Sequence, residues 1–110
     1  MTYQHAGLAA GRWKELPFVE QMANIGSEVE RALNWRAKKN EAYSQGAFER
    51  ALELMDLTLA AHREFPRLKE VARTREAWVD YFAGTNEYGS TEASWKKYFL
   101  AFTFAARKDR

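Results

Sequence analysis

Five apolar residues, Phe18, Met22, Ile25, Val29 and Ala32, follow one another at spacings of three and four, and Leu33 stands four residues after Val29, with no proline among them. That rhythm matches one face of an α-helix and no strand. It recurs in three further segments, so the chain is constrained to bury helical stripes against one another. Only 2 prolines and 6 glycines punctuate the 110 residues, which favours long helices. The length suits one domain, residues 1–110. At 46% hydrophobic and 15% aromatic residues there is ample material for a core.

The first helix is expected from about Pro17 to Lys39, with proline at its first position. Gly26 lies on the buried stripe and is expected to admit a neighbouring backbone. Asn40 is placed to close this helix. The second is expected from about Glu41 to Phe65. Phe48, Ala51, Leu52, Met55, Leu59 and His62 form its line, and Ala47, Leu54, Thr58, Ala61 and Phe65 widen it to about half the circumference at about 100° per residue. A face that broad suits a central helix with two neighbours. The third runs from about Arg67 to Ala83, with Gly84 as a left-handed terminator. Ser90 is the expected N-cap of a fourth, from about Thr91 to Arg107, with Trp95, Phe99, Phe102 and Ala106 inward. Short connections imply antiparallel neighbours. The expectation is an all-α, up-down antiparallel four-helix bundle with a short N-terminal arm, about residues 1–15.

Polar residues on these inward faces are the candidates for function. Arg75 falls among Leu68, Val71, Trp78, Val79 and Phe82; His62 and Glu92 interrupt other stripes, and Arg36 joins them. A buried, uncompensated charge costs several kcal/mol. Arg75 must therefore be paired, reach water along its stem, or face a second subunit. Glu92, Glu28 and Asp56 are its candidate partners. A paired Arg75 is a register device; an unpaired one in an open crevice is an anion clamp. His62, alone on an apolar face, reads as a satisfied core histidine.

Large apolar residues off the stripes carry the opposite message. Trp35, Leu57, Leu100 and Phe104 suggest a surface for self-association, unless the arm covers some of them. Basic residues gather as Arg36, Lys38 and Lys39, as Arg63, Arg67, Lys69 and Arg73, and as Arg107, Lys108 and Arg110. These either match helix dipoles and aid solubility or form a nucleic-acid patch for RNA or DNA. The net charge is only +2, from 17 basic and 15 acidic residues, so no overall basic excess argues for nucleic acid.

No Gly-rich phosphate loop, nucleophile elbow or His-Glu-x-x-His pair occurs. Two histidines and no cysteine leave little for a metal site, and no cofactor is expected. The i,i+4 pairs Glu49/Glu53 and Glu76/Asp80 read as solvated faces. No apolar run approaches the roughly 18 residues of a membrane span, and the start lacks the pattern of a signal peptide. A cytoplasmic, non-enzymatic, homo-oligomeric interaction or scaffolding protein with an unidentified protein partner is expected. A nucleic-acid-binding accessory protein is the alternative, and an enzyme of unknown type comes third.

The segments "GRWKELPFVEQMANIGSEVERALNW", "AFERALELMDLTL" and "NEYGSTEASWKKYF" resemble a small helical prokaryotic protein family to which no activity is attached. Asn24, Ile25 and Glu28 within "ANIGSEVERA", followed by "AFERALELMDL", are more weakly similar to the four-helix-bundle family of rRNA intervening-sequence proteins, which includes retroelement accessory proteins. That second resemblance implies a homo-oligomeric basic bundle, a pentamer among its forms, that binds nucleic acid or a protein partner. It transfers no individual binding residue.

Overall fold

The computed structural model describes residues 11–108, and all regular structure among them is helical. After the short α1 (Trp13–Glu15) come four long helices: α2 (Phe18–Ala37), α3 (Glu41–Ala61), α4 (Phe65–Ala83) and α5 (Glu92–Lys108). Of the expected arm, residues 1–10 lie outside the described part, as does Arg110.

The helix ends follow from local chemistry. Pro17 stands just before α2, and its carbonyl accepts from the N–H groups of Glu20 and Gln21. At the far end Lys39 takes a left-handed conformation (φ 62°). The Asn40 N–H then reaches back to the Trp35 carbonyl at 2.9 Å, and the Asn40 side chain accepts from the Tyr43 N–H at 3.1 Å. Asn40 thus closes α2 and caps α3 at once.

Four expected details are corrected. The second long helix stops at Ala61, where His62 turns extended, and Phe65 opens α4 beside Pro66. Phe65 therefore leaves the inward stripe and is 71% exposed. Gly84 is extended (φ −104°, ψ −153°) and not left-handed. Glycine is needed there because a Cβ would lie 2.9 Å from the Asp80 carbonyl oxygen. Thr91, not Ser90, caps α5: its Oγ1 accepts from the Ser94 N–H, and Ser94 Oγ accepts from the Thr91 N–H. Gly26 meets a side chain and not a backbone, for an added Cβ would sit 2.7–2.9 Å from Cβ, Cγ and Cδ1 of Phe99.

The inward stripes meet as a helical bundle. Met22, Ile25, Val29 and Leu33 of α2 pack with Ala47, Phe48, Ala51, Leu54 and Met55 of α3, Val71 and Trp78 of α4, and Trp95 and Phe99 of α5. The α2 backbone lies close to both α3 and α5, and α3 touches α1, α2 and α4. Between α2 and α3, Ser44 meets Ala32, Arg50 meets Glu28, and His62 meets Gln21. Between α3 and α4, Phe48 stacks on Phe82 at 4.4 Å and Asp56 meets Arg75. Trp78 and Trp95 meet edge to face at 5.4 Å, and Tyr98 reaches Glu70, joining α4 to α5 through long side chains. Among the described residues, no helix is long and apolar enough to cross a membrane.

Candidate interaction surfaces

The ion pairs decide what Arg75 is for. Its Nε donates to Asp56 Oδ1 at 2.7 Å, from α4 to α3 of the same chain. Both side chains are partly in water, at 38% and 47% exposure. Arg75 is thus at the rim of the stripe and not within it, and its guanidinium is answered. The other two candidate partners are committed elsewhere. Glu92 is exposed, against the inward placement expected of it, and pairs with Lys96 on its own helix at 3.0 Å. Glu28 is buried and accepts from Arg31 and, at 2.8 Å, from Arg50 Nε of α3. The interior ionic device is therefore Glu28 with Arg50, and Arg75 with Asp56 is a surface pair.

Gln21 organises a second polar cluster. It is fully buried, and its Nε2 donates to the Trp13 carbonyl oxygen at 2.9 Å. A carbonyl can only accept, so the amide group of Gln21 must face it. Gln21 Oε1 is left to accept from His62 Nε2, which fixes the histidine proton on that nitrogen. His62 Nδ1 faces Glu64 at 3.6 Å, and Phe18 meets the ring edge-on at 5.2 Å. The Glu64 carboxyl is held below the usual range, chiefly by its own backbone N–H. Trp13 Nε1 donates to Thr58 Oγ1 at 2.9 Å. These contacts fasten α1 to α2 and α3, and His62 is used by the fold.

The four residues expected to form one apolar patch separate. Leu100 and Phe104, one turn apart on α5, are 65% and 68% exposed. Leu100 borders a groove of about 410 Å³ between α2 and α5, with Gly26, Ser27, Glu30, Thr103 and Arg107 along it. Trp35 is half-buried on the other side of α2, edge-on to the exposed Tyr43 of α3 at 4.9 Å. Leu57 is half-buried against the core, so it leaves the exposed set.

The basic clusters divide by bundle end. Arg36 projects over the rings of Phe82 and Tyr81, at 5.1 and 5.6 Å, where α4 finishes; it is exposed and not on an inward stripe. Lys38 lies over Trp35 at 5.2 Å, and Lys39 adjoins it. Arg63, Arg67 and Lys69 stand at the opposite end, where α3 gives way to α4. Arg67 lies over Phe18 at 5.1 Å. Arg107 and Lys108 finish α5 at that same end, with Arg107 beside Glu20 and Asn24 of α2. Arg73 is exposed one turn along α4 from Lys69.

Tyr98 ties α4 to α5. Its hydroxyl donates to Glu70 Oε2 at 2.8 Å and lies 3.1 Å from Thr74 Oγ1. Burial holds its proton well above the ordinary tyrosine range, opposed in part by the hydrogen bond with Thr74 and reinforced by Glu70. Asp80 gathers the α4–α5 loop by accepting from the N–H groups of Glu87 and Tyr88. Tyr88 donates to Glu76, which raises its pKa in turn. Among the described residues, no three acidic or histidine side chains converge to hold a metal ion. No protein-family model, curated protein or solved structure matches the chain.

Proposed function

We propose that this chain is an up-down antiparallel four-helix bundle that acts as a non-enzymatic, self-associating interaction protein of the cytoplasm. The topology is supported by the order of cross-helix contacts. Ser44, Arg50 and His62 ascend α3 while their partners Ala32, Glu28 and Gln21 descend α2. Phe48 and Asp56 meet Phe82 and Arg75 in the same inverted order, as do Tyr98 and Trp95 with Glu70 and Trp78.

The observation that carries self-association is the Leu100–Phe104 pair, two large apolar side chains mostly in water on a helix whose other face is well packed. A second copy is the occupant favoured by charge. α5 carries Lys96, Lys97, Arg107 and Lys108 against Glu92, whereas the surface of α3, across α2, carries Glu41 and Glu49, with Glu53 buried and Asp56 and Arg50 paired to neighbouring helices. The α5 face of one copy is complementary to the α3 side of another, where Trp35 and Tyr43 supply apolar surface. Two different patches meeting in this way make a heterologous contact, which forms a ring where the rotation between copies closes and a filament where it does not. Light scattering at micromolar concentration tests it. The wild type should exceed monomer mass, and Leu100→Glu with Phe104→Glu should return it to monomer. Trp35→Ala with Tyr43→Ala should do the same from the other patch. A monomeric wild type defeats the reading.

Nucleic-acid binding is the second reading. It is favoured by the gathering of Arg63, Arg67 and Lys69 at the same bundle end as Arg107 and Lys108. Binding of RNA or DNA that weakens steeply with salt is the expected result.

A further inference from the structure

The surface of α4 holds an arrangement that basic clustering alone does not explain. Phe65 is its first residue and, at 71% exposure, the most exposed large apolar side chain of the described chain. Helical geometry puts Phe65, Lys69 and Arg73 in line at successive turns, over about 12 Å at 1.5 Å rise per residue. Lys69 Nζ lies 5.9 Å from the Phe65 ring centroid, and Arg63 is exposed in the connection just before. Among the described residues, no carboxylate lies within ion-pair distance of Arg63, Lys69 or Arg73. The line ends at Glu76 and Asp80, which are engaged with Tyr88 and the loop backbone. The stripe is thus aromatic at one end, cationic along its length and acidic at its limit.

We propose that this stripe binds single-stranded nucleic acid, with a base stacked on Phe65 and the sugar-phosphate backbone running past Lys69 and Arg73. The inference rests on the nucleic-acid reading above and sharpens it. An aromatic face accepts any base, and cations one turn apart follow the phosphates, which is the physics of sequence-tolerant single-strand binding. A duplex keeps its bases stacked within itself and offers Phe65 nothing. A duplex or a polyanion without bases would therefore use only the charges.

The experiment compares a labelled short oligo(dT), the corresponding duplex and heparin, at low and rising salt, with the full chain. The single strand should bind more tightly than the duplex. Phe65→Ala should weaken single-strand binding about tenfold, in line with the loss of one stacked base. It should leave heparin binding unchanged. Phe65→Trp should restore affinity, with indole emission quenched as oligo(dT) is added. Lys69→Gln should reduce the salt slope for every polyanion. The ring is largely in water, so helical content should be unaltered in each variant, as circular dichroism will check. If single strand, duplex and heparin bind alike and Phe65→Ala changes none of them, the stacking proposal falls while the basic-patch reading stands. If no polyanion binds at low salt, both fall.

Discussion

An added Cβ on Gly26 would stand 2.7 Å from the Cβ of Phe99, so the packing of α2 against Phe99 of α5 depends on a missing methyl group. Alanine is intrinsically better than glycine in a helix by about 1 kcal/mol. Here that gain is opposed by a contact with the base of a buried side chain, which cannot swing away without its helix. Overpacking a well-filled core costs typically about 1–3 kcal/mol. Gly26→Ala should therefore destabilise the bundle on balance, read as a lower urea midpoint. Phe99→Leu leaves the Cβ in place and should recover little of the loss. An unchanged or raised midpoint for Gly26→Ala would show that α5 moves freely.

Tyr98 makes stability depend on alkaline pH. Its folded pKa is raised by burial and by Glu70, so the folded state holds the proton more tightly than the unfolded chain. The associated stability is fully present below the unfolded tyrosine pKa, about 10, and is lost as pH rises above it. Urea midpoints should be flat with respect to this group near neutrality and fall progressively from about pH 10 upward. Tyr98→Phe should lower the midpoint at pH 8 by removing the hydrogen bond to Glu70, at about 1 kcal/mol. It should also reduce the alkaline slope. A wild-type slope retained in full by Tyr98→Phe would assign the effect elsewhere, to Tyr88 among others, whose pKa is also raised.

The helices were legible from periodicity because stripes such as Met22–Ile25–Val29 must face a core whatever covers them. Surface details were less so, and for identifiable reasons. Phe65 has the right phase to extend the second stripe, but Pro66 is accommodated at the start of α4, and the chain turns extended at His62 first. Arg75 and Glu92 also share the phase of inward residues. Whether such positions are core or rim depends on how far the neighbouring helix reaches, which periodicity does not contain. Glu28 could be seen at the edge of its arc, but its partner Arg50 is 22 residues away and becomes visible only with the α2–α3 register. The role of Gln21 left no sign in the hydrophobic pattern, because a buried amide is recognised only through the groups it joins.

Those groups make Gln21 testable. Gln21→Leu keeps the helix and similar bulk but leaves the Trp13 carbonyl without its donor and His62 without its acceptor. An unsatisfied buried polar group costs about 1–3 kcal/mol. The expected result is a loss of about 2–3 kcal/mol in urea unfolding, by that same principle. Faster tryptic cleavage at Arg12 and Lys14 should accompany it as α1 loosens. Equal cleavage rates in wild type and variant would mean that α1 is held mainly by the Trp13–Thr58 bond.

The two cross-helix ion pairs should differ sharply in what their loss costs. Arg75 and Asp56 are solvated, so water replaces whichever partner is removed, and exposed pairs contribute about 0.2–1 kcal/mol. Glu28, at 7% side-chain exposure, holds Arg31 and Arg50 together against the α2–α3 seam. Replacing it by Leu removes a buried carboxylate and takes the Glu28 contact away from both arginines, Arg50 holding its own from a half-buried position. Breaking a buried pair costs about 3–5 kcal/mol, and the partial exposure of Arg50 sets the expectation near the lower limit. Urea unfolding of Arg75→Met and Glu28→Leu at low salt and then high salt separates the two cases. The Arg75 effect should be small and fade as salt screens it, whereas the Glu28 effect should be large and persist. Comparable losses with the same salt dependence would mean that burial does not distinguish these pairs, and that Arg75 fixes the helix register as firmly as Glu28 does.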